Sequence, residues 1–115
     1  MPDEQGLRTI EWGDIRVIVL RGDVNVDLAA RLSRTLTRIQ RESTVFVDLW
    51  DVTAIDPIAI GALAAAKLRS EVTRWEFAVI APRGGLVASE IETAGLGDAL
   101  HTFSTRHEAR EALRR

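Results

Sequence analysis

The sequence predicts a single α/β domain: a mixed β-sheet that opens with a hairpin and carries helices packed on it. Three observations lead there. From residue 27 onward, short apolar runs of strand length alternate with segments of helical periodicity. Two strand-like runs precede them, separated only by Gly13-Asp14, a hairpin-turn signal. The chain has 115 residues, 46% of them hydrophobic, which is enough for one core without covalent staples.

The elements follow in the order β-β-α-β-α-β-α-β-α. Leu7 to Trp12 and Ile15 to Leu20 read as the hairpin strands, and the second is so continuously apolar that both its faces are expected to be covered. Arg21 to Val26, with Gly22 and Asp23, reads as a loop. Asp27 to Arg41 is a helix, because Leu28, Leu32, Leu36 and Ile39 form one apolar stripe. Val45 to Leu49 is a strand, followed by a turn and a second, alanine-rich helix from Pro57 to about Val72. Glu76 to Ala81 is a strand and Leu86 to Ala94 a helix, with Gly95 in the place of a C-terminal cap. Leu100 to Phe103 is a short strand. Thr105 and Glu108 form a capping-box pair that opens a last helix to about Arg114. The strand–helix–strand crossovers should be parallel and right-handed. Residues 1–6 are expected to be loose and 7–115 to form the domain.

Composition excludes several functions. Without cysteine there is no disulfide, thiolate metal site or thiol nucleophile, which suits a reducing cytosol. A net charge of −2 does not describe a nucleic-acid binder. The polar, acidic start has no signal-peptide pattern. The longest uncharged run, Pro57 to Ala66, falls far short of the ~20 residues a membrane span needs, so a cytoplasmic protein without membrane insertion is expected. No serine has a positioned base near it, and neither an enzyme nor a cofactor is expected.

Asp56 to Leu63 is the most informative segment. Asp56 is a good N-cap and Pro57 a good first helical residue. The edge where a strand passes into a helix is where α/β sheets engage ligands and partners. No residue between Asp56 and Leu63 carries a hydroxyl.

Across almost its whole length the chain resembles a STAS domain of the anti-sigma factor antagonist family. The resemblance rests on L-R-G-D-V-N at Leu20–Asn25, V-D-L-W-D-V at Val47–Val52, A-I-D-P-I-A-I-G-A-L at Ala54–Leu63, T-A-G-L-G-D-A-L at Thr93–Leu100 and H-E-A-R-E-A-L at His107–Leu113. It implies a protein–protein regulator that binds a serine-kinase-type anti-sigma factor and is switched off by phosphorylation of the serine after the signature aspartate. Here Asp56 and Gly61 match the signature, but Pro57, Ile58 and Ala59 replace its Ser-Ser-Gly, so the phosphoacceptor is missing and Pro57 is not phosphorylatable. Thr53, three residues upstream of Asp56, is the nearest hydroxyl on that side. The implied contact surface comprises Gly22, Asp23, Asn25, Trp50, Thr53, Asp56, Pro57, Ile58, Ala59 and Gly61. Two alternatives stay open: a STAS subunit bound to a transporter ATPase, and a sensor of a small ligand or nucleotide. A homodimer also stays open.

Other residues have two readings each. Arg31, Arg34, Arg38 and Arg41 lie within an arc of about 80°, a solvated face or a guide for an acidic partner. Trp50 is either an interface anchor or a cap folded on the sheet edge. Trp12 and Trp75 pack at the core's edge. Asp23, Asp48, Asp51 and Asp56, near strand ends, resemble the acidic cluster of a receiver domain, but those begin strand–helix and need a late lysine. Here the only lysine is Lys67. His101 and His107 lack metal-ligand spacing, and Gly84-Gly85 reads as a turn.

Overall fold

The structure, a computed structural model, describes residues 6–39, 43–100 and 102–113. The elements are β1 (Leu7–Trp12), β2 (Ile15–Val24), α1 (Val26–Thr37), β3 (Thr44–Ile55), α2 (Pro57–Thr73), β4 (Glu76–Ile80), α3 (Leu86–Thr93), β5 (Thr102–Phe103) and α4 (Arg106–Leu113). They form one α/β domain with a mixed five-stranded sheet, in the order β1-β2-β3-β4-β5. β1 runs antiparallel to β2 through the predicted turn, where Trp12 pairs with Ile15 and Gly13 takes φ +64°. The remaining neighbours are parallel.

The alternation of side chains splits the core in two. On one face, Ile18 and Leu20 of β2, Val45, Val47 and Leu49 of β3, and Phe77 and Val79 of β4 pack with Leu28, Leu32 and Leu36 of α1, Ala59, Leu63 and Ala66 of α2, and Val87 and Ile91 of α3. On the other face, Val17, Phe46, Ala78 and Ile80 are covered by Ala109 and Leu113 of α4, with Trp12 and Phe103 at the margin. β2 is therefore covered on both faces, as its apolar run predicts. Trp12 lies 6.3 Å from Phe46, with the Arg110 guanidinium 4.5 Å over its ring. Trp75 is buried and meets Phe77 edge-on.

Several boundaries differ from expectation. β2 runs on to Val24 and β3 from Thr44 to Ile55, where a loop and a turn were expected. Gly22 and Asp23 are turn formers, but Gly22 uses its positive φ of 76° inside a strand. The cause is a pair of irregularities. Val19 and Arg21 oppose Asp48 and Asp51, and Gly22 and Asp23 oppose Val52 and Ala54, so β3 holds an extra residue at each place. Each extra residue moves the side-chain alternation by one. That is how Val52 and then Ile55 face the same core as Leu49. α1 stops at Thr37 rather than Arg41: the Arg38 and Ile39 N–H groups bond to Thr35 and Leu36 in tighter turns, although Ile39 still packs on the core. Arg41 and His101 lie outside the described residues, as do residues 1–5. β5 is confined to Thr102–Phe103, and α4 ends at Leu113 among the described residues. Its predicted cap is present: the Glu108 N–H donates to Thr105 Oγ1 at 3.0 Å, while the Glu108 carboxylate accepts from the Ser104 N–H at 2.9 Å.

Candidate protein-interaction site

β4 pairs with β3 only from Thr44 to Asp48. Beyond that point β3 pairs with β2 alone, and the two strands run on together as a bulged ribbon to Val24 and Ile55, which are register partners. Both chains then turn straight into helices. Asn25 caps α1 by accepting from the Leu28 N–H at 3.0 Å. Asp56 caps α2 by accepting from the Ile58 N–H at 2.8 Å, with Pro57 at the first helical position. The Asp56 N–H donates to the Val24 carbonyl at 2.8 Å and ties the two starts together. Such a tip has little backbone freedom, because both helix starts carry a side-chain cap and Asp56 is tied back to Val24.

Apolar side chains decorate it. Ile58 is 54% exposed and Val26 52% exposed, and Pro57 is exposed as well. Exposed large apolar groups at a rigid edge mark an interaction surface more than a catalytic one. Val26 is not among the contacts expected from sequence, because it lies off the leucine stripe of α1. The available signal was an apolar residue at a helix start, off that stripe.

Trp50 is 51% exposed, so it does not fold back on the sheet edge. Nor is it in a loop. It sits on the ribbon, with several strand residues between it and Asp56, and exposed Thr53 lies between the two. Its N–H donates to Asp48 Oδ1 at 3.0 Å. Asp48 is buried, and its Oδ2 accepts from Arg106 Nε at 2.8 Å. This partly buried ion pair ties the base of the ribbon to α4, and sequence reading missed it because its partners are 58 residues apart. Its two bonds also explain why the aspartates do not form an acidic cluster: Asp48 is engaged in the interior, Asp56 caps a helix, and Asp23 and Asp51 are exposed. No group of three or more His, Cys, Asp or Glu suited to a metal occurs among the described residues.

The other expected contact residues divide. Gly22, Asp23 and Asn25 lie along the ribbon's β2 side and line a hollow of about 630 Å³ with Arg21, Asp27 and Arg31. Gly61 is exposed, and a Cβ there would meet nothing within 4 Å. Ala59 is wholly buried under the tip, which makes it a support for the surface and not part of it.

A rigid apolar tip on a small mixed α/β domain, with two helix starts laid side by side, defines a class of protein-interaction modules. The chain belongs to the STAS domain family, whose model matches residues 7–109. An anti-sigma factor antagonist from Mycobacterium paratuberculosis has a similar structure, with a TM-score of 0.80 at 20% identity over 95% of this chain and 93% of that one. A candidate anti-sigma factor antagonist from Thermotoga maritima gives 0.78 at 18% identity, over 95% of each chain. The anti-sigma factor antagonist SpoIIAA in its unphosphorylated form gives 0.68 at 16% identity, over 94% of this chain and 96% of that one. At such identities the likeness establishes the fold. No curated protein sequence matches the chain. Among the described residues, no helix is long and apolar enough to cross a membrane.

Proposed function

We propose that this protein is a regulatory module of the anti-sigma factor antagonist type, that it docks on a serine-kinase-type anti-sigma factor, and that it has no phosphorylation switch of its own. The observation that carries the reading is the exposed apolar pair Pro57–Ile58, held rigid by the Asp56 cap at the end of the ribbon. The structural neighbours named above, described as anti-sigma factor antagonists, support the type of partner. Loss of the switch follows from chemistry. A phosphate on a helix start adds charge to a docking surface and breaks an apolar contact, and proline offers no oxygen to receive it. Ile58 and Ala59 do not restore one. The module therefore binds its partner constitutively, and control passes to the partner or to the amount of module made.

The test is affinity capture from the native cell with the intact protein, beside Ile58→Asp. Wild type should retain an ATP-dependent serine-kinase-type regulator, and Ile58→Asp should lose it by at least tenfold. With that kinase and labelled ATP, residues 50–60 of wild type should stay unlabelled, while Pro57→Ser becomes a substrate. Label on residues 50–60 of wild type would refute the switchless reading. Capture of a transporter ATPase in place of the kinase would refute the partner.

A further inference from the structure

α2 is apolar on two opposite faces. Ala59, Ile60, Leu63 and Ala66 are buried on the sheet. Ile58, Gly61, Ala65, Leu68 and Val72 fall within an arc of about 80° on the other side, at 100° per residue. Leu68 is 66% exposed and Val72 81% exposed, so the outer stripe runs the length of the helix. Gly61 lies within it. A mid-helix glycine costs about 1 kcal/mol relative to alanine. Nothing inside the protein asks for it, since a Cβ there would meet no atom within 4 Å.

We propose that this stripe is the contact surface for a second copy of the chain, with the two α2 helices antiparallel and the two-fold axis beside Ala65. The stripe is complementary in size to its own reverse. Pairing about Ala65 lays Leu68 of one copy into the hollow at Gly61 of the other, and Ile58 beside Val72, seven residues either side of the axis. Small residues at the centre let the helices approach closely. Charge agrees with the same arrangement. α1 packs beside α2 and runs in the same direction, and its exposed outer arc carries Asp27 at the start and Arg34 and Arg38 at the end. Reversal sets the acidic end of one copy against the basic end of the other. Two helix faces bury less than the ~800 Å² per partner of a standard interface, so a reversible, concentration-dependent dimer is expected. The inference stands apart from the proposed regulatory role, although Ile58 belongs to both surfaces.

The chain has no cysteine, so single cysteines report proximity directly. Under mild oxidation, Ala65→Cys should couple to itself. Val72→Cys should not, because the two copies of that position are about 21 Å apart along the axes. A mixture of Ile58→Cys and Val72→Cys should couple to each other. Sedimentation of wild type should show mass rising with concentration. Leu68→Glu, and Gly61→Leu, which fills the hollow, should stay monomeric at every concentration with unchanged far-UV circular dichroism. Wild type that remains monomeric to a few hundred micromolar overturns the proposal. So does Val72→Cys coupling to itself as readily as Ala65→Cys, which signals parallel helices.

Discussion

Two strand-to-helix junctions lie at the same edge of the sheet and are built in opposite ways. From β3 to α2 a single residue, Asp56, intervenes. Its N–H, carboxylate and carbonyl all bond locally, to Val24, Ile58 and Ala59 respectively. From β4 to α3 the chain takes the longer route of Ala81 to Gly85. Gly84 needs a φ of +74°, and Gly85 starts α3 with no side-chain cap. There Arg83 reaches Glu108 only across an exposed 3.8 Å contact, of the kind that adds little. Beside α3 lies a groove of about 510 Å³ with Arg83, Ser89, Glu92, Thr102 and Ser104 on its walls, whereas the α2 start presents Pro57 and Ile58. Recognition through a few apolar side chains needs a backbone that loses little entropy on binding. Only the first junction has one.

That contrast can be broken experimentally. The largest effect should come from chain length. One glycine inserted between Ile55 and Asp56 separates the Asp56 N–H from the Val24 carbonyl and shifts Ala59 and Leu63 out of register with the core, for about 3 kcal/mol or more. The same insertion after Arg83 should cost under ~1 kcal/mol, because loops tolerate length. Urea denaturation of the two variants measures the difference, and equal losses would erase the distinction. Next comes Arg106→Ala, which leaves the buried Asp48 carboxylate without its partner. With Arg106 itself partly exposed, a loss of about 2 kcal/mol is expected, below the ~3–5 kcal/mol of fully buried pairs. Asp48→Asn in the same background should recover part of it. The smallest is Asp56→Ala, at about 1 kcal/mol for a lost cap. Amide exchange should then quicken at Ile58 and Ala59 and leave α3 unchanged.

Much of this was legible beforehand. The hairpin, the element order and the start of α2 follow from Gly13-Asp14, from hydrophobic periodicity and from Asp56-Pro57, all of which act within a few residues. The ribbon was not legible. Gly22, Asp23 and the polar residues around Trp50 carry the marks of loops, and they are strand only because each strand supplies the other's hydrogen bonds. The outer stripe of α2 was written in the spacing of Ile58, Leu68 and Val72. Alanine on every side of that helix masks which face the sheet takes.

The sequence by itself determined the helix caps, the turn, the two-faced burial of β2 and the absence of any hydroxyl from Asp56 to Leu63, because propensity, capping and side-chain chemistry are local. Only the tertiary structure decided that β2 and β3 continue past β4, that Asp48 meets Arg106, and that Trp50, Ile58 and Val72 face outward. Those outcomes depend on strand register and on partners far away in the chain. Two irregularities in β3 set that register, and no local pattern encodes them.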